Sequence, residues 1–240
     1  MNYYIIQWSL NTQVMGHLPQ VSEVILNGQM IDDPNFIDRF HFQKIETTPI
    51  TSYPVLEPKS NLTDLIQVGS MGFTNKILIS NHLKSILEKN SAEGLQFIRT
   101  SVYWRGIEKS DFWLVHPYVF QLNMIDFSRS EVYLTEMVLK KIEQLKIASL
   151  DEFLKAKQEI EERGFPYGIK IDKLALNTKT NLGFFALGHI EGGVKFLVSA
   201  EVKQAIEISG CTGIEFRPAE LSYNEWLKPG GEREKQYGKF

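Results

Sequence analysis

Lys76-Ile77-Leu78-Ile79-Ser80-Asn81-His82-Leu83-Lys84 is echoed by Lys195-Phe196-Leu197-Val198-Ser199-Ala200-Glu201-Val202-Lys203, at a constant offset of 119 positions. Carried without a gap through residues 76–99 and 195–218, this register makes seven of 24 pairs identical: Lys76/Lys195, Leu78/Leu197, Ser80/Ser199, Lys84/Lys203, Glu88/Glu207, Gly94/Gly213 and Phe97/Phe216. Composition alone gives roughly one or two matches at a random register. Ile79/Val198, Leu83/Val202, Leu87/Ile206 and Leu95/Ile214 are apolar in both copies, and the register reaches back to Leu65/Phe184 and Gly69/Gly188. A repeat of this kind decides the architecture before any single motif does.

Each copy reads as a folding unit. Ile77-Leu78-Ile79 and Phe196-Leu197-Val198 are short, apolar and β-favouring, as buried strands are. Ser80 and Ser199 come next, where a hydroxyl caps an unpaired helix amide. The next ten residues set Leu83, Ile86 and Leu87, or Val202, Ala205 and Ile206, on one helical face. Lys84 and Glu88, or Lys203 and Glu207, fall on the other, where they read as exposed ion pairs or as a repeated ligand contact. Asn90-Ser91 and Ser209-Gly210 end the helices, and Gly94 or Gly213 leads into a last strand. With the strand before it, each unit is β-β-α-β.

The predicted fold class is α+β, with mixed or antiparallel sheets, two related β-β-α-β modules and an additional helix between them. That helix opens at Ser149-Leu150-Asp151-Glu152, which has the capping-box pattern, and runs to about Arg163, where Gly164 and Pro166 stop it. Residues 112–120 read as a strand broken at His116-Pro117. Residues 132–147 fit helix and strand about equally, and Ile169, Ile171, Leu174 and Leu176 suggest a strand with a slip in its alternation. Near the start, Tyr3 to Trp8 and residues 23–26 look like strands, Asp32-Asp33-Pro34 like a turn. Pro49, Pro54 and Pro58 break the segment before the first module into extended pieces. The expected organisation is one globular unit of residues 1–240, divisible into lobes at 1–125 and 126–227, with a mobile charged tail at 228–240.

Apolar residues make up 43% and charged residues 23%, an ordinary globular mix. A net charge of −3 argues against general nucleic-acid binding. The first residues lack the basic region of a secretory signal, and no stretch approaches the roughly 20 apolar residues of a membrane span. Cys211 stands alone, which excludes an intrachain disulfide and a thiolate cluster. The expected compartment is the cytoplasm, where the Asn61-Leu62-Thr63 sequon has no meaning.

The strong catalytic motifs are absent: no Walker A loop, dinucleotide fingerprint, HExxH or GxSxG. Gly69-Ser70-Met71-Gly72 grazes the last of these and reads as a hairpin turn. His17, His41, His82, His116 and His189 show no ligand spacing. Cys211 reads as a partly buried thiol, against the alternative of a nucleophile served by a distant histidine. Asp151, Glu152, Glu159, Glu161 and Glu162 interleave with Lys155, Lys157 and Arg163 as a solvated helix face. Two candidates for partner binding remain. Tyr103-Trp104-Arg105 has the residue types of interface hot spots, or else packs across a sheet. Asp126, with Ser130, either binds or closes a turn. No cofactor and no metal are expected.

Three stretches carry a resemblance. Phe112-Trp113-Leu114-Val115 leads to Asp126-Phe127 and Ser130; Lys170-Ile171-Asp172-Lys173-Leu174 leads to Gly183-Phe184-Phe185-Ala186-Leu187. The third runs from Val198-Ser199-Ala200-Glu201-Val202-Lys203 to Thr212-Gly213-Ile214-Glu215-Phe216. Together, over about residues 62–218, they resemble immunity protein family eleven of bacterial polymorphic toxin systems. Here Ala200 separates Ser199 from Glu201, where the family places the acidic residue directly after the serine. The resemblance implies a cytoplasmic, non-enzymatic antidote whose partner is a cognate toxin protein, with no role for nucleic acid or membrane. The alternatives are an enzyme whose site is assembled from distant residues, and a regulatory or structural binding module.

Overall fold

A computed structural model describes residues 2–26, 33–69, 75–138, 140–177 and 181–239. In chain order the first half holds β1 (Tyr3–Trp8), α1 (Thr12–Met15), β2 (Val21–Ile25), β3 (Tyr53–Leu56), β4 (Leu65–Ile66), β5 (Ile77–Ser80), α2 (Asn81–Lys89), β6 (Leu95–Trp104) and β7 (Ile107–Pro117). The second half holds β8 (Glu131–Glu136), β9 (Lys140–Leu145), α3 (Leu150–Arg163), β10 (Tyr167–Lys173), β11 (Phe184–Ile190), β12 (Gly193–Ser199), α4 (Ala200–Ile208), β13 (Ile214–Pro218), α5 (Tyr223–Leu227) and α6 (Glu232–Tyr237). They form a seven-stranded sheet, β13-β1-β12-β11-β10-β8-β9, and a six-stranded sheet, β2-β3-β6-β7-β5-β4. Each sheet is antiparallel except for one parallel pair, β10 with β11 and β3 with β6. The fold is α+β, and α3 is the expected helix between the two modules.

The repeat is visible in three dimensions to the residue. Helices α2 and α4 occupy the same positions of the 119-residue register, and each is capped by its serine: Ser80 accepts from Leu83 N, Ser199 from Val202 N. Both modules contain a fourth strand that the direct repeat does not predict. In module one β7 lies between β5 and β6; in module two that place is taken by β1, from the far end of the chain. The registers agree. Trp113 pairs with Ile79 and Val115 with Phe97, just as Tyr4 pairs with Val198 and Ile6 with Phe216. Lys84 accordingly bridges to Glu88 and sits 4.3 Å from the Trp113 ring centroid and 5.6 Å from that of Phe97. Lys203 bridges to Glu207 and lies 5.2 and 5.5 Å from Tyr4 and Phe216. Their ammonium groups cover aromatic edges of the core, so these pairs hold the scaffold.

Strand alternation gives each sheet two apolar faces. One face of each enters a shared core: Leu65, Ile79, Leu83, Leu87 and Val115 of module one meet Ile6, Phe184, Val198, Val202, Ile206 and Phe216 of module two. The opposite face of the seven-stranded sheet packs Ile5, Phe185 and Leu197 beneath Phe153 and Ile160 of α3. The opposite face of the six-stranded sheet packs Leu78, Ile98 and Leu114, with Leu56 of β3, against Ile37 and Ile45, and the proline-broken segment enters the same sheet as β3. Backbone clasps close the junction from both sides. Phe184 N–H donates to Asn90 O and Phe184 O accepts from Ala92 N; Asp64 and Leu65 N–H donate to Thr212 O. Gly213, at φ 80°, leaves no room for a side chain, since a Cβ would lie 2.5 Å from Thr63 Cβ.

Several sequence expectations change. Residues 132–147 are the hairpin β8–β9; β9 is the sheet edge and exposed almost throughout, so its apolar residues carry no periodic burial signal. Glu152 reaches back to Ala148 N, one residue beyond the cap of the capping-box pattern. Asp32 of the Asp32-Asp33-Pro34 turn and residues 70–72 of the glycine turn lie outside the described residues. The tail at 228–240 is not a mobile charged end over its described part. Arg233, 1% exposed, forms a two-pronged pair with Glu215, itself fully buried, at 2.9 and 2.7 Å. Ser9 Oγ and Leu10 N–H donate to the same carboxylate, and Tyr237 Oη accepts from Phe216 N. Burial pushes the Tyr237 phenol up to about 12. No helix among the described residues is long and apolar enough to cross a membrane.

Two outcomes are expected. Leu83→Ala should cost about 2–5 kcal/mol and leave one urea transition by fluorescence and circular dichroism alike; separate transitions would show that the modules do not share a core. Arg233→Ala strands the Glu215 charge and should cost about 3–5 kcal/mol, with the segment after Lys228 becoming the first site of limited proteolysis.

Candidate functional site

A cleft of about 600 Å³ lies between the two sheets, within the usual range for small-ligand sites. Its walls come from β1, β4, β12 and the starts of β5 and α5, and include Ile5, Trp8, Ile66, Ile77 and Phe196. Lys76 and Lys195, the first matched pair of the repeat, both line it. The repeat thus contributes one lysine from each module to the lining of one largely apolar slot.

Each cation has an acidic neighbour. Lys76 Nζ lies 3.7 Å from Asp38, Lys195 Nζ 3.5 Å from Glu191 and Lys170 Nζ 2.9 Å from Asp172. Glu191 accepts two bonds from the buried Arg217, at 2.8 and 2.7 Å, and one from Tyr223 N. Burial raises the Glu191 carboxyl pKa, but the Arg217 fork outweighs it and leaves the group below its usual range. Asp172 behaves likewise, through Lys141 and Lys170. Burial lowers both Lys76 and Lys195, and it raises Asp38. Glu191 sits at φ 51° between His189 at 63° and Gly192 at 82°. Strained backbone of this kind persists where surrounding contacts over-determine it, and here they aim Glu191 between Arg217 and Lys195.

A second feature lies at the far end of the seven-stranded sheet. Phe165 is 85% exposed, Met137 61%, Val138 53% and Tyr167 44%. They are neighbours, since Met137 N–H donates to Pro166 O and Tyr167 pairs with Glu136. Met137 and Val138 both have positive φ, 51° and 68°, a region a β-branched residue enters only at a cost. Val138 and Tyr167 also line a cavity of about 320 Å³ with Phe42, Phe120, Ile160 and His189.

The structure gives each sequence candidate a place. Tyr103, Trp104 and Arg105 end β6 at its hairpin with β7. Trp104 Nε1 donates to Ser60 O at 2.8 Å, Arg105 stacks 4.3 Å over its ring and Tyr103 Oη donates to Glu108. Tyr103 and Trp104 are therefore partly engaged in packing, and only Arg105 projects. Asp126 accepts from Ser128 Oγ and Arg129 Nε, and its carbonyl accepts from Ser130 Oγ. The bonds from Ser128 and Arg129 hold its carboxyl below the usual range, and all three close a turn. On α3, Lys157 pairs with Glu161 and Gln158 donates to Glu162, a solvated face.

Cys211 has the distant histidine that the sequence could not supply. Its Sγ lies 3.7 Å from His82 Nδ1, which is also 3.7 Å from Asp64 Oδ1. A catalytic relay needs the two ring nitrogens to face different partners, whereas Nδ1 faces both here. Burial also pushes the Cys211 thiol up, opposite to the lowered pKa of an activated nucleophile. The three side chains form the one His/Cys/Asp/Glu group with metal-ligand proximity found among the described residues. Sequence reading missed the cleft residues Lys170, Asp172 and Glu191 and the exposed Met137 and Phe165. The identity Lys76/Lys195 was the signal for the cleft. Neither the protein-family models nor the curated proteins contain a match to this sequence.

In the fold Lys76 and Lys195 bind protons less readily than in the unfolded chain. Stability therefore rises as pH climbs from their lowered values toward the ordinary 10.5. Lys195→Met keeps the apolar stem and leaves Glu191 paired with Arg217, so it should be neutral or stabilising at pH 7. Urea midpoints followed up to pH 10.5 should show a shallower rise in this variant; an unchanged slope would mean that Lys195 is not desolvated.

Proposed function

We propose that this protein is a toxin-binding antidote, acting in the cytoplasm of a bacterial cell against a cognate toxin of a polymorphic toxin system. The resemblance of residues 62–218 to immunity family eleven supports this reading. The observation that carries it is the exposed apolar group of Met137, Val138, Phe165 and Tyr167. Contiguous apolar surface of this kind marks interaction sites on proteins, and large apolar anchors dominate interface energetics. The group belongs to the β8–β10 part of the seven-stranded sheet, outside both repeated modules. Lys140, Lys157, Glu136 and Glu161 around it form two ion pairs, a polar rim of the type that surrounds interface anchors. The partner is a protein; nucleic acid and membrane have no part in this reading.

A second reading, of a protein that binds a small molecule or an enzyme of unrecognised type, is favoured by the cleft between Lys76 and Lys195. A small anionic or amphipathic ligand would suit its apolar walls and paired ammonium groups.

The readings separate experimentally. Co-expression should restore growth to cells carrying the toxin encoded by the adjacent gene, and the two purified proteins should form a stable complex. Phe165→Ser with Met137→Ser should weaken that complex tenfold or more while leaving the melting temperature within error, because both side chains are solvent-exposed. Lys195→Met should leave it intact. Killing that persists on co-expression, with no complex formed, would sink the antidote reading.

A further inference from the structure

The geometry points to a divalent-metal site of the zinc type at the junction of the two modules, formed by Asp64 and His82 of module one and Cys211 of module two. The three ligand atoms lie within 4.8 Å of one another. In a tetrahedral zinc centre, bonds of about 2.0–2.3 Å put neighbouring ligand atoms roughly 3.3–3.6 Å apart. The separations of 3.7 Å from His82 Nδ1 to Cys211 Sγ and to Asp64 Oδ1 are within a few tenths of an ångström of that arrangement.

The contacts among the three make poor hydrogen bonds. One ring nitrogen faces both a thiol and a carboxylate oxygen, and 3.7 Å from nitrogen to oxygen is beyond hydrogen-bond range. A single cation at the centre satisfies all three at once. Each ligand is also held from behind. Asp64 Oδ1 accepts from the α2 cap Ser80 Oγ, and Asp64 Oδ2 accepts from Thr212 N–H and Oγ1. Ser209 Oγ donates to Cys211 Sγ at 3.2 Å, and His82 stands on the first turn of α2. Such outer bonds orient ligands and tune their affinity.

The repeat supplies an internal control. At the matching junction on the other side, the counterparts of Asp64, His82 and Cys211 are Gly183, Glu201 and Ala92. There Gly183 packs against Asn90, and Ala92 N–H donates to Phe184 O. Of the three donor types only a carboxylate, Glu201, recurs on that side; the sulfur and the imidazole do not. The backbone clasp of that junction therefore forms without such a trio.

One sulfur, one nitrogen and one oxygen make a borderline donor set suited to Zn²⁺ or Co²⁺ rather than to Mg²⁺ or Ca²⁺. The His82 side chain is 52% exposed, which leaves the fourth position to water. Binding displaces the Cys211 thiol proton to solvent and forms a metal–thiolate bond, with no change in oxidation state. Because the ligands come from both modules, the metal fastens one to the other.

The test is titration of the full chain, first stripped with a chelator, with CoCl2 and with ZnCl2. One equivalent of Co²⁺ should produce a thiolate-to-cobalt charge-transfer band that Zn²⁺ bleaches, and Zn²⁺ should raise the melting temperature as binding to the native state alone requires. Cys211→Ser should abolish the band, and His82→Ala should weaken binding at least tenfold, while both keep the circular dichroism of the parent. MgCl2 should do nothing. Absence of the band from the parent, or its persistence in Cys211→Ser, overturns the assignment, as does a Zn²⁺-dependent rise in melting temperature that is equal in parent and both variants.

Discussion

The architecture depends on one shortage. Each module turns a four-stranded apolar face toward a single nine-residue helix, and one such helix cannot cover it. Water is excluded only when the two faces meet, with α2 and α4 packed between them. The shared core of Leu83, Leu87, Val202, Ile206 and the strand residues beside them is thus a condition for either module, since burial of apolar area is the main favourable contribution to folding. The backbone clasps at Phe184 and Leu65 result from it. So does the cleft: two twisted sheets joined along one line diverge elsewhere, and the matched residues Lys76 and Lys195 both line the gap.

The modules diverge where their last strands are finished. In module one the sheet continues past β6 to β3 and β2, and Gln96 exchanges two hydrogen bonds with the backbone of Ile45. In module two β13 is the edge, and the position matching Gln96 is Glu215. Its carboxylate receives Ser9, Leu10 and Arg233, so the segments before and after the module close over a strand that no neighbour covers. A buried ion pair adds little net stability over an apolar replacement. It does fix which segment lies on the edge, because a misplaced tail leaves Glu215 unpaired.

The repeat and its helices were legible in the sequence because the offset, the serine caps and the apolar faces all depend on local spacing. The equivalence of β7 and β1 was not. Phe112-Trp113-Leu114-Val115 and Tyr3-Tyr4-Ile5-Ile6 share shape and polarity but no identity, and they stand on opposite sides of their modules in chain order. Hairpin β8–β9 was ambiguous because an exposed edge strand loses the alternation that burial imposes. The tail was misread because the charge of Arg233 suggests solvent, while its partner Glu215 lies in a strand that reads as core. Asp64, His82 and Cys211 come from a loop, a helix and another loop, and only the meeting of the modules brings them together.

The position of β1 also has a consequence during synthesis. Its partners β12 and β13 are made nearly a full chain length later, whereas β7 emerges directly after β6 and pairs with it as a hairpin. Tyr3-Tyr4-Ile5-Ile6-Gln7-Trp8 is strongly β-favouring and apolar, a segment prone to improper pairing while it waits. The slot between β5 and β6 has the same register and the same lysine-over-aromatic arrangement as its own. β7 fills that slot as the next strand made after β6, which leaves β1 its own place between β12 and β13.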